Sequence, residues 1–137
     1  MPFMALAQAP DPLSDKIAVL QATAMAHNGI IQLDSNSFDN MLSKPRNYSV
    51  VVLFTAMSPE FKCIPCKNFD PEFKLVASSW SKIPDRKRLF FGIVDFKDGQ
   101  QVFQKFGMVS APSLLYFPTG DSNQELPDFD RFDFNSR

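Results

Sequence analysis

The cysteine pair Cys63 and Cys66 constrains the fold of this chain more than any other feature of its sequence. The pair follows an apolar run, 50–54, that has the composition of a buried strand, and residues 66–79 after it are predicted to be helical. The first turn of a helix presents unpaired N–H groups and a partial positive charge, which lower the pKa of a cysteine there to roughly 3.5–7.5. We therefore predict a redox pair in which Cys63 is exposed and reactive, while Cys66 lies half a turn further in and resolves a mixed disulfide.

A structural zinc site is the alternative use of these two cysteines. Such a site takes four ligands, and the chain adds only one histidine, His27, far upstream in an apolar segment. The set is a ligand short, so we predict no metal and no other cofactor. We expect His27 on a helix surface or at the edge of the core.

Length and charge set the limits on domain organisation and partners. The 137 residues suit a single domain, and the net charge of −1 predicts no role in binding nucleic acid or an anionic membrane. No stretch approaches the roughly 20 apolar residues of a membrane helix. The short alanine-rich run at 5–9 has no Lys or Arg before it. We expect residues 1–13 to be a disordered tag or signal-peptide remnant, and residues 14–137 to form the domain.

Apolar runs and turn residues divide the chain into alternating helices and strands, which predicts an α/β fold with helices on both faces of the sheet. The predicted elements are a helix at 15–27 ended by Gly29, a strand at 30–33, a helix near 38–42, a strand at 50–56, a helix after Cys66 kinked by Pro71, a strand at 89–96, a helix at 101–106 ended by Gly107 and a strand at 113–117. Residues 126–134 fit a final edge strand or a frayed tail. The apolar face of the helix beyond the kink is predicted to comprise Phe73, Leu75, Val76, Ala77 and Trp80.

The bond between Ala111 and Pro112 is a candidate cis peptide at the entrance of the last apolar strand. X–Pro bonds have a trans preference of only about 0.5–1 kcal/mol. In a fold of this kind the loop would lie beside Cys63, where its free backbone groups could pair with an extended peptide. The alternative is that Pro112 starts the strand in trans.

These features together resemble a thioredoxin-fold protein, with a mixed central sheet and helices on both faces. The likeness rests on the strand, the C-x-P-C sequence, Pro71 in the following helix and the Pro112 loop before a strand. Two departures argue against efficient turnover as a disulfide reductase. Residues 57–62 lengthen the approach to the cysteines, and the strand lacks the buried acid of thioredoxins, with Leu53 as its nearest equivalent.

A fuller resemblance, over roughly residues 15–134, is to the lumenal domain of oligosaccharyltransferase subunit 3 or subunit 6, whose animal relatives are the tumour-suppressor-candidate and magnesium-transporter-named subunits. The matching segments are 46–56, 63–66, 77–80, 89–91, 94–95, 101–104 and 110–112. Members of that family continue into four transmembrane helices, so we expect this chain to be the excised lumenal domain of a membrane protein.

The resemblance implies an accessory role in N-glycosylation within the endoplasmic reticulum lumen, distinct from glycosyl transfer itself. The domain would bind nascent, cysteine-containing polypeptides and form transient mixed disulfides with them through Cys63 and Cys66, and the membrane region would contact the other subunits. The lumenal redox poise, about −180 to −210 mV, would help keep the pair oxidised. The peptide-binding groove would comprise Phe61, Ile64, Pro65, Ala111 and Pro112, with Phe69 beside them; the apolar side chains could alternatively be core residues.

Two other functions remain open at this point. The first is a stand-alone thiol–disulfide oxidoreductase of the secretory pathway, which would turn over many substrates. The second is a structural module with an inert pair, in which Cys63 would be buried. Separately, residues 47–49 form an acceptor sequon for N-glycosylation, which makes Asn47 a candidate modification site if its turn is exposed.

Overall fold

The computed structural model describes residues 12–43, 46–83, 88–108, 110–119 and 130–132. Its helices are α1 (Pro12–Ala26), α2 (Ser35–Leu42), α3 (Ile64–Ser81) and α4 (Gln100–Lys105), and its strands are β1 (Ile30–Leu33), β2 (Ser49–Thr55), β3 (Leu89–Asp95), β4 (Ser113–Phe117) and β5 (Asp130–Phe132). A 3-10 turn at Pro59–Phe61 precedes α3. These elements agree with the predicted ones to within a few residues, and α1 begins two residues before the predicted domain boundary at residue 14.

The strands form one mixed sheet in the order β1-β3-β2-β4-β5. β1, β3 and β2 run parallel, while β4 is antiparallel to β2 and β5 is antiparallel to β4. β2 and β3 lie in the middle, where both faces are covered, which explains why their sequences are apolar at consecutive positions. Residues 126–134 were predicted to be a final edge strand or a frayed tail. Residues 130–132, the part of this segment that the structure describes, form the edge strand β5.

Helices cover both faces of the sheet, as predicted. One face packs against α1, α2 and α4, with Val52 and Phe54 of β2 in that core. The other face packs against α3, whose Phe73 and Ala77 meet Leu53 of β2. Because successive side chains of a strand point to opposite faces, β2 contributes to both cores in turn.

The apolar face predicted for α3 is partly wrong. Phe73 and Ala77 are buried and Trp80 is half-buried, but Leu75 and Val76 are exposed to 67% and 55%. The helix continues through Pro71 as one element. A single face of the helix meets the sheet. Leu75 lies on the side opposite to that face, and Val76 lies beside its edge.

None of the helices in the described part of the chain is long and apolar enough to cross a membrane.

Candidate functional site

The two cysteines form a disulfide at the start of α3. Cys63 is the N-cap residue of the helix, and its Sγ accepts a hydrogen bond from the backbone N of Cys66 at 3.1 Å. The S–S distance is 2.04 Å and the Cα atoms are 5.2 Å apart. Cys66 has no exposed surface, whereas Cys63, which the sequence predicts to be exposed, is partly exposed. Of the two cysteines, only Cys63 offers exposed surface to an incoming thiolate.

The segment that leads from β2 to the disulfide is hydrogen-bonded to the end of β3. Asp95, the last residue of that strand, accepts a hydrogen bond from the backbone N of Met57 at 3.0 Å and another from the backbone N of Lys97 at 3.1 Å. The 3-10 turn follows, and Lys62 then adopts a left-handed conformation with φ 50°. These contacts fix the start of the segment 57–62 that leads to the cysteines.

The loop before β4 lies against the disulfide, as predicted. The Ala111–Pro112 peptide bond is cis, which confirms that prediction. The carbonyl oxygen of Ala111 lies 3.6 Å from Cys63 Sγ. The disulfide sulfur has no hydrogen to donate, so this contact shows proximity and not a hydrogen bond.

Apolar side chains next to the disulfide in sequence are open to solvent. Ile64 is 67% exposed and Phe61 is 37% exposed, although the Phe61 ring also meets Phe96 edge-on with centroids 5.3 Å apart. Pro65 is exposed as well, and Ala111 and Pro112 are half-buried. These residues are available to a ligand, and none of them is a plain core residue.

Two other predicted candidates lie elsewhere. Phe69 is half-buried and packs against the core on the α3 face, so it is a core residue rather than part of the groove. His27 is exposed, with Nδ1 3.0 Å from the carbonyl oxygen of Thr23. Within the described residues no group of three or more His, Cys, Asp or Glu side chains is placed to hold a metal ion.

The three residues of the sequon at Asn47 are all at least partly buried. Its second residue, Tyr48, is fully buried, and its third, Ser49, begins β2 and accepts a hydrogen bond from the Tyr116 hydroxyl at 3.2 Å. Asn47 is half-buried and its Oδ1 is inaccessible. Modification of Asn47 stays a prediction.

The structure adds one polar side chain that the sequence did not single out. Thr55, the last residue of β2, has no exposed surface, and its Oγ1 makes no hydrogen bond within the described residues. Leu53, which the resemblance to thioredoxins puts in place of their buried acid, is also fully buried. A hydroxyl at the end of an otherwise apolar strand was the only signal that the sequence offered.

The fold and the disulfide at the N-terminus of α3 define the class of this protein: it is a thioredoxin-fold domain. The crystal structure of the Trx4 domain of ERdj5 is 26% identical, with a TM-score of 0.57 over 79% of this chain and 83% of that chain. The solution structure of the first thioredoxin domain of mouse protein disulfide-isomerase A4 is 22% identical, with a TM-score of 0.57 over 80% of this chain and 67% of that chain, and supports the fold alone.

The chain belongs to the OST3/OST6 family: the sequence model described as "OST3 / OST6 family, transporter family" matches residues 18–137. Over 108 residues, the chain is 41% identical to dolichyl-diphosphooligosaccharide–protein glycosyltransferase subunit MAGT1 of Xenopus laevis, covering 77% of this chain and 32% of that protein. It is 30% identical over 91 residues to subunit 3 of Schizosaccharomyces pombe, covering 66% of this chain and 29% of that protein. The chain thus spans about a third of the length of these relatives.

Proposed function

We propose that this domain is an accessory part of the oligosaccharyltransferase complex that holds nascent polypeptides during N-glycosylation. It acts in the endoplasmic reticulum lumen and binds cysteine-containing polypeptides through transient mixed disulfides. Membership of the OST3/OST6 family supports the assignment of this domain to that complex, because the relatives are named as glycosyltransferase subunits. Residues 14–137 make up the lumenal domain, and other subunits are contacted through segments that the longer relatives possess.

The observation that carries the proposal is the unequal exposure of the two cysteines. A substrate thiolate attacks the accessible Sγ of Cys63, the S–S bond breaks, and Cys66 leaves as the thiolate. The reverse step restores the pair: the Cys66 sulfur attacks Cys63, the substrate sulfur leaves as a thiolate, and no net electrons are consumed. The helix N-terminus favours the negative charge that develops on the sulfur in each step.

The surroundings of Cys63 favour a polypeptide as the ligand. Exposed apolar side chains of Phe61, Ile64 and Pro65 offer contact area. The Ala111–Pro112 loop offers backbone groups beside the reacting sulfur, an arrangement suited to pairing with an extended chain. This combination holds many sequences weakly, which suits a subunit that meets varied nascent chains.

The stand-alone oxidoreductase remains the alternative, and one observation argues against it. β2 places Leu53, a fully buried apolar residue, where thioredoxins carry a proton-transferring acid. Release of each substrate should then be slow, which suits holding better than rapid turnover.

The test is to trap a peptide with the Cys66→Ser variant. The reduced variant is mixed with a peptide whose cysteine carries thionitrobenzoate, so that the Cys63 thiolate forms the peptide disulfide and expels a coloured thiolate. We expect a stable one-to-one adduct at Cys63, formed at least about tenfold faster than by the matched Cys63→Ser variant, because Cys66 is inaccessible.

Equal trapping by the two variants, or none by either, would contradict the proposed chemistry. A peptide with Ala in place of Cys is the negative control. With the wild-type protein, many rapid turnovers of peptide disulfide in glutathione would favour the oxidoreductase instead.

A further inference from the structure

Thr55 has a buried hydroxyl that finds no partner in the described part of the chain while the disulfide is intact. Its Oγ1 is inaccessible and has no hydrogen-bond partner within the described residues. A buried polar group without a partner is costly, so such groups in folded proteins call for an explanation. The chain retains this cost at a position where valine would fill the same space without it.

The sheet register places Thr55 next to the disulfide. β2 and β4 are antiparallel, with Phe54 opposite Ser113. Continuing this register by one and two positions sets Thr55 opposite Pro112 and residue 56 opposite Ala111. The carbonyl oxygen of Ala111 in turn lies 3.6 Å from Cys63 Sγ. Thr55 is therefore on the strand directly beside the loop that touches the redox pair.

The Thr55 side chain points to the face that α3 covers. Leu53, two positions earlier, packs with α3, and side chains of a strand that are two positions apart share a face. On α3 the buried residues are Cys66, Phe73 and Ala77, which recur at helical spacing along the side that meets the sheet. Both residues thus face the space between β2 and α3.

The direction of α3 sets Cys66 at the Thr55 end of that space. Near the C-terminus of the helix, the carbonyl oxygen of Ala77 lies beside Gly29, just before the start of β1. β1 is parallel to β3, and β3 to β2, so the first turn of α3 lies over the other end of the strands, where β2 ends at Thr55. Cys66 is the fully buried residue of that turn.

We infer that Thr55 is a positioning residue for the redox pair, whose hydroxyl donates a hydrogen bond to the sulfur of Cys66 when the disulfide is open. Reduction by two glutathione thiols breaks the S–S bond, gives two protein thiols and yields glutathione disulfide. The freed Cys66 sulfur is buried away from water. As a thiol or thiolate it is a stronger acceptor than the disulfide sulfur, to which Thr55 Oγ1 makes no hydrogen bond. The hydroxyl stabilises the open forms relative to the closed one. This inference deepens the proposed function and rests on its thiol chemistry.

The experiment is to measure the redox equilibrium of Thr55→Val against wild type in glutathione buffers, by alkylating free thiols and separating the forms on a gel. Loss of one hydrogen bond of typical strength corresponds to about a fivefold change in an equilibrium constant. We expect the reduction equilibrium constant of Thr55→Val to fall by about that factor, and Thr55→Ser, which retains the hydroxyl, to stay near wild type.

Thermal unfolding of the oxidised proteins separates this role from a merely structural one. We expect oxidised Thr55→Val to melt at or above the wild-type temperature, because the unpartnered hydroxyl is gone. An unchanged redox equilibrium in Thr55→Val, or an equal shift in Thr55→Ser, would overturn the inference. Thr55→Ala provides a second hydroxyl-free variant should the valine protein fold poorly. Failure of Cys66→Ser to trap peptide would count against the proposed function, while the redox comparison could still be made with dithiothreitol.

Discussion

Buried polar side chains tie the end of α2 to the sheet. The last carbonyl groups of a helix lack partners within it. In α2, the carbonyl oxygen of Met41 accepts a hydrogen bond from the Tyr48 hydroxyl, and that of Leu42 accepts one from Arg46. Arg46 also donates to the carbonyl oxygen of Pro118, just after β4. Residues just before β2 thus satisfy carbonyl groups at the helix end and link it to the residue that follows β4.

Removing the Tyr48 hydroxyl should show this contribution. Burial raises the pKa of Tyr48 to about 12, and the guanidinium of Arg46 offsets part of that rise. We expect Tyr48→Phe to lower the unfolding free energy at pH 7 by about 1–2 kcal/mol, because the Met41 carbonyl loses its donor. Denaturant unfolding at pH 7 to 11 measures it.

The same variant should change the alkaline pH dependence. In wild type, the contribution of neutral Tyr48 is fully present below the unfolded-state pKa of about 10 and is lost as pH rises towards about 12. Tyr48→Phe should lose less stability over that range than wild type. Identical alkaline slopes in the two proteins would show that Tyr48 does not carry this dependence.

At the scale of elements, the turn between α1 and β1 is packed directly under α3. Gly29 has φ +89°, and a Cβ atom added there would lie 2.4 Å from the backbone oxygen of Ala77. The Gly29 backbone N also donates to the carbonyl oxygen of Ala24 at 2.6 Å, which closes α1. Gly107, which follows α4, has a similar φ of +62° but nothing within 4 Å of such an atom. A side chain at Gly107 would meet only the cost of a left-handed backbone conformation. A side chain at Gly29 would meet that cost and a clash with α3 as well.

We expect Gly29→Ala to cost clearly more stability than Gly107→Ala. A left-handed conformation costs an alanine about 1–2 kcal/mol, and this is the whole effect expected at Gly107. At Gly29 the backbone of α3 must shift as well, so a total above about 3 kcal/mol is expected. Chemical denaturation of both variants gives the comparison. Equal losses of stability in the two variants would mean that α3 moves away from residue 29 at little cost in free energy.

At the scale of the whole molecule, phenylalanine rings join the elements on the face opposite α3. The chain has 15 phenylalanines. Phe38 of α2 is 1% exposed and meets three other rings edge-on at 5.7–5.9 Å between centroids. Those rings belong to Phe54 of β2, Phe106 after α4 and Phe117 of β4. One side chain therefore holds two helices against two strands of the sheet.

Phe38→Ala should be among the most destabilising single changes in the described core. Deleting a buried phenylalanine side chain typically costs about 3–5 kcal/mol, because the neighbours do not refill the cavity. Leu75→Ala, at a position 67% exposed on α3, is the matched control and should change stability by less than about 0.5 kcal/mol. Urea midpoints of both variants test this. A loss below about 1 kcal/mol for Phe38→Ala would show that the ring cluster repacks.

The sequence alone determined the element types, the layer arrangement and the place of the redox pair. β2 and β3 were recognised because a strand covered on both faces is apolar at every position, a local property. The cysteines and Pro112 were predictable for a similar reason, since their chemistry depends on residue type and on position at the end of an element. Cys63 and Ala111 were correctly predicted to lie together, because the resemblance to the thioredoxin fold supplied the pairing that local signals lack.

Only the tertiary structure decided which side chains are covered and which polar atoms find partners. Leu75 and Val76 have the composition of a buried helix face and are exposed. Asp34 caps α2 through Ser37, where the prediction began the helix near residue 38. In the sequence, Thr55 is an ordinary strand residue. The role inferred for its hydroxyl depends on β4 and α3, which pack beside it. Burial and hydrogen bonding depend on neighbours that are distant in the chain, so no local pattern of residues specifies them.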